Sequence, residues 1–288
     1  MQGKYWWYCV TSVLLCLLLA GCSGQFLFRH VDWVVRDYVD DYVSLTDVQE
    51  DMLDEEVYKL QRWMIDHAMT QYIRFLDQLL ALDPTALSPA QFTALRQQIL
   101  VFTRTLMKQG SPAMTRLSET FTETQVQQFI TALHQRHHTL NEKYLRGTPD
   151  TLQTNAETRV RERLETWLGD LTPAQIQIIR VWINHNNMDL YEWRSWQNRV
   201  ETEAQLLMTL RRKPVAFHTR LDDLLQNTES YYPPRFRALI EHNEQTSHTY
   251  LLQIIHQMTP AQTAHFREEI QDWKEIALDI QNMVIAER

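Results

Sequence analysis

Two stretches of this chain place reactive residue types at a spacing that could support chemistry. The first is Leu19-Ala20-Gly21-Cys22, which closes an apolar run from Val10 to Ala20. A cysteine behind small residues, after a short hydrophobic stretch, is the substrate pattern of a lipoprotein signal peptidase. The chemistry expected is therefore acylation of Cys22 with palmitate-like chains, leaving it as the lipidated first residue of the mature protein; several acyl chains together give firm anchoring. The second stretch is His134, His138 and Glu142, at i, i+4 and i+8, with His137 beside them. On a helix these share one face and could offer two imidazoles and a carboxylate to a divalent transition metal. A solvated polar face is the simpler account of the same pattern. No His-Glu-x-x-His pair, Gly-rich phosphate loop or Gly-x-Ser-x-Gly elbow occurs. Asp37, Asp40 and Asp41 lie near Arg36 on a helical pattern and read as solvated charge, not as an acid–base pair. No catalytic residue and no cofactor are expected, and the chain does not read as an enzyme.

The leader sets the compartment. Lys4 is the single positive charge ahead of the apolar run, which is too short to span a bilayer permanently. Residues 1–21 are expected to be removed and residues 22–28 to form the lipidated anchor and a short tether. Ser23, where an Asp would retain the protein at the inner membrane of an enteric-type bacterium, predicts an outer-membrane lipoprotein facing the periplasm. Cys9 and Cys16 fall in the leader, so the mature chain has neither a disulfide nor a free thiol. The 28 basic and 36 acidic side chains give a formal charge of −8, and loss of Lys4 makes the mature protein more acidic still. That balance argues against nucleic acid and against adsorption to anionic lipid. The expected partners are the membrane, through the anchor, and an envelope protein.

What would position these residues is a set of helices. No Val/Ile/Thr alternation long enough for a strand occurs, and the six glycines are sparse for 288 residues. Gly110, Gly147 and Gly169 each follow a helical pattern as C-terminal caps do. Five helix starts repeat one pattern. Leu45-Thr46-x-x-Gln49, Leu87-Ser88-x-x-Gln91, Phe121-Thr122-x-x-Gln125, Leu171-Thr172-x-x-Gln175 and Met258-Thr259-x-x-Gln262 are capping boxes, in which the hydroxyl accepts from the amide at N3 and the Gln reaches back to the cap amide. Pro89, Pro173 and Pro260 occupy the first helical position, where a missing donor costs nothing. The boxes are too unevenly spaced for a solenoid, so unequal helical hairpins in an elongated, all-α, multi-helix bundle are predicted.

Between the boxes the apolar period is helical. Leu53, Val57, Leu60, Met64, Ala68, Tyr72, Phe75, Leu79 and Leu82 keep one face apolar for nearly thirty residues. Ile176 to Leu207 forms a second such pattern, interruptible at His185-Asn186-Asn187. Shorter helices are expected at 31–43, 90–108, 125–145, 151–168, 215–225, 235–257 and 261–286, punctuated by prolines. Gly147-Thr148-Pro149-Asp150 is the best boundary between an N-terminal half (29–147) and a C-terminal half (148–288), packed as one domain. Trp193 continues an apolar stripe and is expected in the core, whereas Trp196 and Tyr191 sit off it and could line a groove, although packing between helices is the simpler account of the whole cluster.

Several of these stretches together resemble a bacterial lipoprotein family known only as a domain of unknown function. They are Asp32-Trp33 soon after the lipobox, the Tyr/Asp-rich helix running into Leu45-Thr46-x-x-Gln49, Arg159 to Leu168 ahead of the fourth box, and Tyr232-Pro233-Pro234-Arg235-Phe236 through Glu241-His242-Asn243. The resemblance covers nearly the whole mature chain and implies no activity and no catalytic residue. Asp47-Val48 departs from the usual Pro-Glu filling of the first box. The Leu-Thr-x-x-Gln motif is also similar to that of Spy/CpxP-type periplasmic proteins, some of which are chaperones and some metal-responsive. The function expected is a non-catalytic protein-binding or scaffold lipoprotein of the envelope. A Spy-like chaperone for unfolded or outer-membrane proteins, and a metal-binding or metal-sensing protein, are the alternatives.

Overall fold

The structure, a computed structural model, describes residues 31–286, so Leu19, Ala20, Gly21 and Cys22 lie outside the described residues. The chain forms α1 (Val31–Asp40), α2 (Asp47–Trp63), a π-helical turn (Met64–Ala68), α3 (Met69–Leu80), α4 (Pro89–Glu119), α5 (Glu123–Tyr144), α6 (Pro149–Leu168), α7 (Pro173–His185), α8 (Leu190–Thr209), α9 (Pro214–Gln226), α10 (Pro234–His256) and α11 (Pro260–Ala286). No strand occurs among the described residues, and the all-α reading holds.

The capping boxes form at all five sites, but their glutamines do more than cap. Gln49 and Gln125 face each other as a reciprocal amide pair, with Gln125 Nε2 2.6 Å from Gln49 Oε1 and Gln49 Nε2 3.3 Å from Gln125 Oε1. Each Oε1 also accepts its own cap amide, from Thr46 and Thr122, both at 3.0 Å. Each Nε2 gives its second proton to the other box: Gln125 to the Ser44 carbonyl at 3.0 Å, Gln49 to the Thr120 hydroxyl at 2.9 Å. Gln175 and Gln262 repeat the arrangement at 3.0 and 2.8 Å, bonding their own caps at Thr172 and Thr259 and reaching the carbonyls of Gln257 and Asp170. All four glutamines are buried. Two knots of crossed helix starts result, α2 with α5 and α7 with α11. The box at Ser88 is different, because Gln91 is exposed and among the described residues bonds only within its own box.

The long apolar face from Leu53 to Leu82 becomes one rod, with the π turn set into it. A π turn adds a residue to one turn of helix and so rotates the face that follows. Here α2 packs on α1 and α4, whereas α3 packs on α11, with Ile65 and Met69 against Ala277 and Ile280, and Leu76 against Ile270 and Trp273. Sequence periodicity missed this turn. The second long pattern breaks where expected, between α7 and α8.

Gly110 ends no helix. α4 runs on through Gly110-Ser111-Pro112 to Glu119, although a mid-helix glycine and proline cost about 1 and 3 kcal/mol. Burial outweighs them: Leu106, Met107, Ser111, Thr115 and Leu117 are all buried, and α9 lies along this stretch. The Ser111 hydroxyl donates to Asp222 of α9 and sits 3.2 Å from the Lys108 carbonyl, which Pro112 leaves without its amide partner. Gly147 and Gly169 do have positive φ, 136° and 67°, and Gly169 caps α6.

The knots generate a testable difference in stability. Replacing one knot glutamine strands its partner's buried amide, so Gln175→Leu is expected to cost about 2–4 kcal/mol in chemical denaturation, and Gln175→Glu as much at neutral pH, because a carboxylate cannot donate. Gln91→Leu, at the exposed box, should cost less than about 1 kcal/mol.

Candidate functional site

α5 carries the predicted metal-binding face, and the structure does not assemble it. Glu142 accepts from Arg146 at 2.6 Å, one turn on in its own helix, and His138 is exposed. Among the described residues no group of three or more His, Cys, Asp or Glu is arranged to hold a metal ion. The structure thus does not bring His134, His138 and Glu142 together. The ring that turns inward is His137, since α5 places it, with Leu133, toward α8.

Across that seam stands Glu201 of α8, which sequence reasoning did not single out. Its two oxygens take one imidazole each, His134 Nδ1 at 3.1 Å and His137 Nδ1 at 2.6 Å. A carboxylate only accepts, so both rings donate from Nδ1. One turn further along, Asn141 donates to Gln197 at 2.9 Å. Burial holds the His137 imidazole below its ordinary value of 6.5, and the Glu201 hydrogen bond opposes that shift without overcoming it.

The second arrangement lies where α7 gives way to α8. Asn243, buried on α10, uses both ends of its amide on one residue: its Oδ1 accepts the Asn187 N–H and its Nδ2 donates to the Asn187 carbonyl, both at 2.7 Å. His242 Nε2 donates to the His185 carbonyl at 2.9 Å, and the Tyr250 hydroxyl meets His185 Nδ1 at 2.6 Å beneath stacked rings. From the other side Asp189 caps α8 by accepting from the amides of Tyr191 and Glu192. The connection is thus pinned along its length, and two apolar side chains stand in solvent there, Met188 on the connection at 49 % and Tyr191 in the first turn of α8 at 75 % exposure.

The aromatic expectation divides here. Tyr191 is exposed as read, but Trp196 is buried, stacked on Phe236 with ring centroids 5.6 Å apart and edge-on to Tyr232 at 4.8 Å. The kink between α7 and α8 explains the miss, because a face projected from α7 does not continue into α8.

Two open hollows lie elsewhere on the described surface. One, of about 480 Å³, is lined by Asp223, Asn227, Glu229, Ser230, Arg237 and Glu241. Beside it the Tyr231 hydroxyl donates to Asp223, and burial together with that carboxylate pushes the phenol up to about 12. The other, of about 680 Å³, runs from Asp40, Asp41 and Tyr42 along the Gln127 to Thr139 face of α5.

If the Asn243 amide is what pins the connection, Asn243→Ala should cost about 1–3 kcal/mol, the penalty for leaving buried partners unmade. The Asn187 amide should then exchange with solvent faster than its neighbours in α7, as amide hydrogen exchange would read.

Residues 41–237 match a family described as a family of unknown function (DUF6279). That span takes in the first four boxes and stops short of the fifth, of His242 and of Asn243, so it is narrower than the sequence resemblance suggested. No curated protein and no solved structure matches the chain, and nothing in these comparisons carries the likeness to Spy/CpxP-type proteins.

Proposed function

We propose, for a chain that belongs to this family of unknown function (DUF6279), a non-catalytic role as a lipid-anchored envelope protein that binds a protein partner through the α7–α8 connection. The observation that supports it most is the pinned display of Met188 and Tyr191. A flexible side chain and a large amphipathic ring, held on a backbone that is already ordered, lose little entropy when a partner covers them. Interfaces draw much of their energy from such anchors.

Attachment in this reading rests on Leu19 to Cys22, with Ser23 directing the protein to the outer membrane and its helices into the periplasm. No helix among the described residues is long and apolar enough to cross a membrane.

A photo-crosslinking residue placed at Tyr191 in cells, with mass spectrometry of the adducts, tests the proposal. One or two envelope proteins should be captured from position 191 and not from Val215, an equally open position, and Cys22→Ala should abolish capture by mislocalising the protein. No adduct from position 191, or the same adducts from both positions, would remove the proposal. A broad set of immature outer-membrane proteins would make the protein a chaperone instead.

A further inference from the structure

We propose that the cluster of His134, Glu201 and His137 makes the seam between α5 and α8 labile to mild acid, a conformational device built into the bundle. Among the described residues, the polar bonds of that seam include the two imidazoles on Glu201 and the Asn141 to Gln197 bond. Behind them lie the buried side chains of Leu133, Trp196, Val200, Ala204 and Phe236. One carboxylate is held by two ring N–H donors; the His137 and Glu201 side chains are only 10 % and 18 % exposed, while His134, at 71 %, reaches them from the solvent side. That carboxylate can balance one positive charge. Once charged, His137 would have to share that carboxylate with the His134 N–H, and its side chain, only 10 % exposed, has little solvent to make up the difference.

The charged and titratable groups that bear on His137 are Glu201 across the seam and His134 on its own helix. Glu201 favours the protonated ring, while His134 and burial oppose it, and burial is the largest influence. The folded ring therefore titrates below 6.5, its ordinary value. As pH falls through 6.5, the open form takes up a proton before the closed form does, so closure weakens as pH drops through that window. Above it both forms are neutral, and the cluster contributes no pH dependence.

Amide hydrogen exchange on the purified full-length chain at pH 7.5, 6 and 5, corrected for intrinsic rates, reads this directly. Amides at 137–141 and 197–204 should lose protection by up to about tenfold per pH unit below 6.5, the limit for one proton, while those of α11 hold. His137→Asn keeps a donor near the Nδ1 position without a titration, and it should flatten the loss. Glu201→Gln removes the one group that favours the protonated ring and should steepen it. Unchanged seam protection down to pH 5, or a His137→Asn protein that loosens as much as the wild type, would overturn the proposal. Should near-UV circular dichroism show His137→Asn unfolded at pH 7.5, Glu201→Gln decides: a steeper loss sustains the device, and an equal or shallower one ends it.

Discussion

A buried carboxamide has two protons to give and two lone pairs to fill, and leaving any of them unmet costs on the order of a kcal/mol or more. The bundle is organised around that requirement. At each knot a glutamine spends one lone pair on its own helix cap and turns the rest of its amide to a second helix start. Because each member needs what the other supplies, the pair fixes the distance and the angle between two helix N-termini. α5 is thereby set against α2, and α11 against α7, before any apolar contact is counted. The apolar clusters then fill the space between helices whose origins are already placed.

The same economy recurs at smaller scale. Asn243 satisfies both backbone groups of Asn187 with a single side chain, much as a strand neighbour would. Arg211, buried, donates to the carbonyls of Phe121 and Met208 and pairs with Glu123, tying the end of α8 to the start of α5. These are polar groups serving as joints among described residues that contain no cysteine. The seam at Glu201 differs in kind: part of its polar joint is an imidazole–carboxylate cluster, whereas the knots are made of amides that do not titrate.

Much of the architecture was legible in residue order. Hydroxyl residues followed three positions later by Gln located the helix starts, and apolar spacing located the faces. His185-Asn186-Asn187 marked a break that the structure keeps. What escaped had no local signal: the π turn at Met64–Ala68 changes which neighbour a face meets without changing the face's own periodicity. Gly110 and Pro112 read as an end because their local cost is real, and only the burial of the surrounding turn by α9 reverses it. One clue to the knots was in view. All five boxes carry Gln where Glu caps as well, and Gln differs from Glu in being able to donate.

Sequence by itself determined that the chain is helical and where the helices with capping boxes begin, because capping and periodicity each depend on residues a few positions apart. Tertiary structure alone decided which boxes pair, that Trp196 turns inward while Tyr191 stays in solvent, and that His137 rather than His138 meets a carboxylate. Gln49 and Gln125 are 76 residues apart and Gln175 and Gln262 are 87, and no local preference reports on a partner at that range. Pairings of that kind follow from where whole helices pack, which depends on the buried area and polar satisfaction of the entire bundle.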